Sequence, residues 1–179
     1  MNLIEKAVQI ALEAHKEQKR KHDGSPYIVH PFMVALQVAR HGFDEKTIAA
    51  ALVHDVLEDT DVTEAFLTDE LWGEVTSIVK GVTYPDGLEW KEKRIAYNTQ
   101  VAEGSESAKA VSVADKIHNL QNLLETYEQE GSALWSKFNR GRDEKVWSEE
   151  ALLNGLKRVW QHPLLDEYET LVEKMKLLD

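Results

Sequence analysis

Apolar residues along this chain recur at i, i+3, i+4 and i+7, and no stretch alternates convincingly with a period of two. Ile4, Ala7, Val8, Ala11, Leu12 and His15 fall on one stripe, the spacing of a helix that buries one face. Asp23-Gly24-Ser25-Pro26 breaks that helix with turn chemistry. Pro31 suits the first turn of a second helix, and Gly42 its end. Asp44 is a suitable N-cap for a third, carrying Ile48, Ala51, Leu52 and Asp55. Thr63 and Thr68 read as caps of two short helices before Gly81, and Pro85-Asp86-Gly87 as a turn. Further helices are predicted over about 89–103, 107–125, 148–161 and from Pro163 onward, with a short segment between Gly131 and Gly141. Ala110 to Val113 leans toward β but runs straight into a helical pattern. The prediction is an all-α fold of about seven to nine helices. At 179 residues the chain is read as one domain over 1–179, with a motif-bearing core at about 5–125 and C-terminal helices over 126–179. The five tryptophans, all at or after Trp72, read mostly as packing anchors.

Charge and composition remove several function classes. There are 32 Asp and Glu against 21 Lys and Arg, a net charge of −11. That balance disfavours nucleic acid and anionic membranes, because neutralising phosphates needs net positive charge. Any anionic small-molecule partner then requires a local concentration of positive charge. With no cysteine, disulfides, thiolate metal sites and a cysteine nucleophile are excluded. The N-terminus lacks a secretory apolar region, and no apolar run approaches the ~18 residues of a membrane span. A soluble, cytoplasmic protein is the expectation, with the oligomeric state left open.

Four features carry chemistry. Thr47 to Val53 is almost wholly apolar and ends in His54-Asp55. A helix apolar on all sides is buried, so His54 and Asp55 need partners at its end. A divalent metal can supply them, as can hydrogen bonds to each other or to backbone. Asp115 repeats the pattern after the mostly apolar run Ala108 to Ala114, with a salt bridge to Lys116 or Arg94 as the structural alternative. His30 stands before Pro31, where capping is its bland role. Together these residues offer two imidazoles and two carboxylates without sulfur, a set that suits manganese, iron, zinc or magnesium. A metal-bound water has a depressed pKa and becomes a usable nucleophile near neutral pH. Glu58 and Asp59, four residues beyond His54 and Asp55, would share their helix face and can orient or deprotonate that water. The counterweight is the basic run His15 to His22, with four Lys or Arg and one Glu. It reads either as a solvated helix end or as a clamp for phosphates or a base, with Arg20 and Lys21 beside the Gly-Ser-Pro turn.

The order H…HD…D resembles the HD superfamily of metal-dependent phosphohydrolases. Arg20-Lys21, Gly24 to Pro31, Thr47 to Thr60, Val79 to Thr83 and Ala114 to Leu120 are similar, more closely, to the hydrolase domain of the RelA/SpoT family, over about residues 5–125. The resemblance implies a metal held by His30, His54, Asp55 and Asp115, with manganese the family's usual ion. It implies water activation by Glu58 and Asp59, Arg20 and Lys21 beside the guanine and phosphates of (p)ppGpp, and Asn119 on the sugar or phosphates. The implied reaction removes the 3′-diphosphate to give GDP or GTP and pyrophosphate. An end at Asp179 implies a stand-alone hydrolase without a synthetase domain. After Thr83 the chain reads Tyr84-Pro85-Asp86-Gly87, where the family more often opens Lys-Leu. The segment Glu125 to Trp160, with Trp135, Phe138, Arg140 and Trp147, resembles HD phosphohydrolases in general as much as the alarmone-specific ones and reads as a wall of the pocket, with Lys93 and Arg94 as candidate phosphate contacts. An HD phosphohydrolase for another nucleotide or phosphoester, and a non-catalytic nucleotide sensor, are the alternatives.

Overall fold

The structure is a computed structural model that describes residues 1–20 and 24–179. Among the described residues there are nine α-helices and no strand. They are α1 (Leu3–Ala14), α2 (Val29–Arg40), α3 (Glu45–Leu52), α4 (Val56–Asp59), α5 (Glu64–Val82), α6 (Trp90–Glu103), α7 (Glu106–Glu130), α8 (Gly141–Leu156) and α9 (Pro163–Lys176), with a 3-10 helix at Gly131–Lys137. The fold is all-α, as the spacing predicts. No helix of the described residues is long and apolar enough to cross a membrane.

Several helix ends follow from local chemistry. Asn2 and Glu5 form a reciprocal capping box at the start of α1. Asp44 caps α3, its carboxylate accepting from the Thr47 N–H at 2.9 Å and the Thr47 hydroxyl at 2.6 Å. Ser105 caps α7 through the Ala108 N–H at 3.1 Å, and Pro163 opens α9 behind His162.

Other boundaries differ from the sequence reading. Thr68 is no cap. It lies inside α5, where its hydroxyl donates to the Glu64 carbonyl at 2.9 Å. The break in α5 falls instead at Trp72, with φ 72° and ψ 156°, a backbone region that costs a side-chain-bearing residue about 1–3 kcal/mol. The helix expected to carry Asp55 stops at Leu52. Val53 N–H bonds back to Ala50 O at 3.2 Å, and His54 takes the Ala51 carbonyl, so α4 starts as a separate turn. The tryptophans divide, and Trp135 packs half-buried against the interior. Trp160 is buried, whereas Trp72 is 57% exposed and Trp90 lines a cavity.

Two hydrophobic clusters form the interior, and α7 belongs to both. Ala108, Val111 and Ala114 pack with α1 to α5. Ala110, Val113, Ile117, Leu120 and Leu123 pack with α6, the 3-10 helix, α8 and α9. Every residue of α7 from Ala108 to His118 is buried. Polar side chains on this helix therefore meet other protein groups rather than bulk water, and the site lies along it.

Thr47 hydrogen bonds hold the Asp44 carboxyl below its usual range. Replacing Asp44 by Ala is expected to lower the unfolding free energy by about 1 kcal/mol in urea at pH 7. A depressed carboxylate adds stability above its unfolded pKa and loses it as pH falls through the folded one. The gap between the two chains should accordingly close below about pH 4.

Candidate functional site

Three elements converge on Asp115 of α7. From α2 comes His30, whose Nε2 lies 3.0 Å from Asp115 Oδ1. From the turn between α3 and α4 comes His54, its Nε2 3.8 Å from the same oxygen. The ligand atoms of His30, His54 and Asp115 all lie within 4.8 Å of one another. Asp55 stands beside them, its Oδ2 3.1 Å from His54 Nε2 and 3.6 Å from His30 Nε2. The structure thus brings together all four residues that the sequence singled out as metal ligands.

Outer contacts fix how these groups face. His54 Nδ1 lies 2.8 Å from the Ala51 carbonyl, which only accepts, so Nδ1 carries a proton and Nε2 is the atom left to face Asp55 and Asp115. That Nε2 is buried and makes no hydrogen bond. His30 Nδ1 lies 2.7 Å from His118 Nδ1, with the two rings stacked. Tyr27 donates its hydroxyl to Asp55 Oδ2 at 2.5 Å. Lys116 donates to Asp115 Oδ2 at 2.8 Å, and Asn119 to Asp115 Oδ1 at 2.5 Å. The salt bridge weighed as a structural alternative for Asp115 is therefore present, on the oxygen turned away from the histidines.

The electrostatics call for positive charge between the carboxylates. Burial pushes the Asp55 carboxyl up, but the neighbouring His54 outweighs it and holds the group at about 2. Burial acts on Asp115 in the same way and is overcome by Lys116 and the two histidines, leaving it well below the carboxylate range. Burial would lower His54, yet Asp55 and Asp115 raise it well above an ordinary imidazole. A field that favours an imidazolium also favours a divalent cation, and the two nitrogen and two oxygen donors gathered here fit one.

The other expected residues divide. Asp59 lines a cavity of about 800 Å³ together with Arg20, Tyr27, His30, Asp55, Asp115 and Asn119, a volume suited to a small organic ligand. Glu58 is absent from that lining. Its Oε1 accepts from the Tyr84 N–H at 2.8 Å, and it borders a shallow acidic pocket with Asp59 and Asp61. Burial raises the Glu58 carboxyl, with the Tyr84 bond partly opposing. Lys21 lies outside the described residues. The opposite cavity wall bears Tyr84, Trp90, Arg94, Lys116 and Arg140. The sequence singles out Arg94 and Arg140, the first as a phosphate contact and the second within a segment read as a wall of the pocket, whereas Trp90 reads as packing.

The HD domain family model matches residues 7–145. The chain belongs to the HD domain family. Family membership carries a dependence on a divalent cation, and the geometry above fits that requirement. The HD chain is 39% identical over 119 residues to a zebrafish (Danio rerio) guanosine-3′,5′-bis(diphosphate) 3′-pyrophosphohydrolase MESH1, covering 65% of this chain and 66% of that one. It is 37% identical over 123 residues to an Aquifex aeolicus guanosine-3′,5′-bis(diphosphate) 3′-pyrophosphohydrolase, covering 67% of this chain but only 18% of that relative's length. A crystal structure from Listeria monocytogenes superposes with a TM-score of 0.76 at 33% identity, over 85% of this HD chain and 98% of the other. A metazoan ortholog of SpoT that hydrolyzes ppGpp shares the fold at a TM-score of 0.82 and 24% identity, over 99% and 98% of the two chains.

Asp115→Ala is expected to abolish divalent-cation binding, read by isothermal titration calorimetry. It should also lower the melting temperature of the metal-free chain, because Lys116 is left buried without its partner. Unchanged cation affinity would remove Asp115 from the ligand set.

Proposed function

We propose that this chain is a manganese-dependent (p)ppGpp 3′-diphosphatase that releases GDP or GTP and pyrophosphate. The observation that carries the reading is a carboxylate–histidine site opening on a cavity whose opposite wall bears cations, as a ligand with separate phosphate groups requires. Relatives named as 3′-pyrophosphohydrolases support it. A free nucleotide also suits a chain of net charge −11 better than nucleic acid or a membrane does.

In this reading His30, His54, Asp55 and Asp115 hold the cation. A bound divalent ion lowers the pKa of a coordinated water and offsets phosphate charge. Tyr27 and Asn119 keep the Asp55 and Asp115 carboxylates in place through the hydrogen bonds they donate. Asn119 also lines the cavity, where it meets the sugar or phosphates of the nucleotide. Arg20, which lines the cavity, binds the guanine and phosphates, a role that the family resemblance also gives Lys21. The water oxygen bonds to the phosphorus next to the ribose, the bond from that phosphorus to the ribose 3′-oxygen breaks, and the 3′-oxygen ends protonated. Glu58 and Asp59 take the water proton. A carboxylate raised by burial, as Glu58 is, is the better base near neutral pH.

Incubation with ppGpp and manganese should release pyrophosphate and GDP, resolved by ion-exchange chromatography. Orthophosphate alone, or no turnover, would overturn the reading. Glu58→Gln is expected to lower kcat at least about 100-fold while metal content stays at the wild-type level. An unchanged rate would shift the proton step to Asp59, tested by Asp59→Asn.

A further inference from the structure

Tyr84 follows α5 and makes contacts with Glu58, Tyr97, Arg94 and Lys116. Its backbone N–H donates to Glu58 Oε1 at 2.8 Å. Its ring stacks on Tyr97, with centroids 4.0 Å apart and planes 17° from parallel. Tyr97 is a firm base for that stack, being buried and hydrogen-bonded to Ser112 of α7 at 2.8 Å. The Arg94 guanidinium lies 4.5 Å from the Tyr84 ring centroid and donates to the Tyr84 hydroxyl. The Lys116 ammonium lies 5.6 Å from the Tyr84 ring and 5.4 Å from that of Tyr97.

Arg94 is the informative member. It lines the cavity, and among the described residues no carboxylate forms an ion pair with it. Its recorded side-chain partners are aromatic, the Tyr84 ring and hydroxyl and, at 5.9 Å, the Trp90 ring. An acid partner would fix a guanidinium but cancel the charge that an anionic ligand needs. An aromatic face fixes it through the ring quadrupole and leaves the charge intact. Four of the five guanidinium N–H groups are not engaged by the Tyr84 hydroxyl, so donors remain for phosphate oxygens.

We propose that Tyr84 is a positioning residue for substrate binding, its ring holding Arg94 toward the cavity where it meets the anionic groups of a phosphorylated ligand. The role deepens the proposed reaction and rests on it for the identity of the ligand. The bond to Glu58 comes from the Tyr84 backbone, so changing the side chain separates ligand binding from the proton step.

The test compares Tyr84→Leu, which removes the aromatic face, with Tyr84→Phe, which keeps it and loses only the hydroxyl. Tyr84→Leu should raise KM for ppGpp about tenfold, the effect of losing the ring that fixes Arg94, with kcat changed less than about threefold. Tyr84→Phe should keep KM within about threefold of wild type. A wild-type KM in Tyr84→Leu overturns the proposal, as does a fall in kcat matching the rise in KM, or a phenylalanine variant as weak as the leucine one. Arg94→Gln serves if Tyr84→Leu does not fold by circular dichroism. It should raise KM by a similar factor, and an unchanged KM again overturns the proposal. Calorimetric binding of inorganic pyrophosphate with magnesium is measured on the same chains. If the wild type does not turn over ppGpp, the reaction reading fails, while pyrophosphate binding weakened in Tyr84→Leu and retained in Tyr84→Phe still supports the role of Tyr84. Equal binding in all three chains, or none in the wild type, overturns it.

Discussion

Asp115 carries a negative charge in a stretch of α7 where every neighbour along the helix is buried. Left alone, such a charge costs several kcal/mol, so the surrounding elements have to bring it partners. Lys116 covers one carboxylate oxygen from the same helix, and Asn119 reaches the other from the next turn. His30 and His54 complete the shell from α2 and from the turn after α3. The positions of three elements are thereby tied to one carboxylate. The packing of α7 between two hydrophobic clusters holds that carboxylate where both halves of the interior meet.

The two histidines are oriented by different devices. His54 is locked by a backbone carbonyl, which fixes the ring and leaves Nε2 aimed between Asp55 and Asp115. His30 is held by the ring of His118. The same contact that locks His54 also ends α3, since the Ala51 carbonyl it takes falls in the last turn of that helix. Ligand orientation and helix termination are one event here. That is why Glu58 and Asp59 sit on a separate turn, with only Asp59 of the pair on the cavity wall.

Much of this was legible in the sequence, and the failures share a physical cause. Spacing gave the all-α class, and Asp44 and Pro163 stand at helix starts because caps act within three residues. His30, His54, Asp55 and Asp115 stood out as polar residues interrupting apolar helical faces, a conflict that burial must resolve. Thr68 failed as a cap because a threonine inside a helix can satisfy itself on a carbonyl one turn back. Glu58 looked like a free carboxylate one turn from the metal ligands, but the N–H it accepts comes from Tyr84, 26 residues away. No local pattern encodes that. The aromatic wall was misread for a related reason. A tryptophan such as Trp90 looks the same in sequence whether it fills a core or supports a guanidinium.

The wall also resolves the tension between an acidic chain and an anionic ligand. Near Asp115 the acids are matched by histidines and Lys116, so their charge is largely spent inside the protein. Deeper along the cavity, Lys145 is paired with the buried Glu149 and adds little net field. Arg94 and Arg140 are different, because their recorded ring contacts are to Tyr84 and Trp90, which orient a cation without neutralising it. Net charge is summed over the whole surface, but a ligand in a cavity of about 800 Å³ responds to the groups lining it. Positive potential there comes from which cations have been denied an acid, and the aromatic residues make that denial compatible with a fixed geometry.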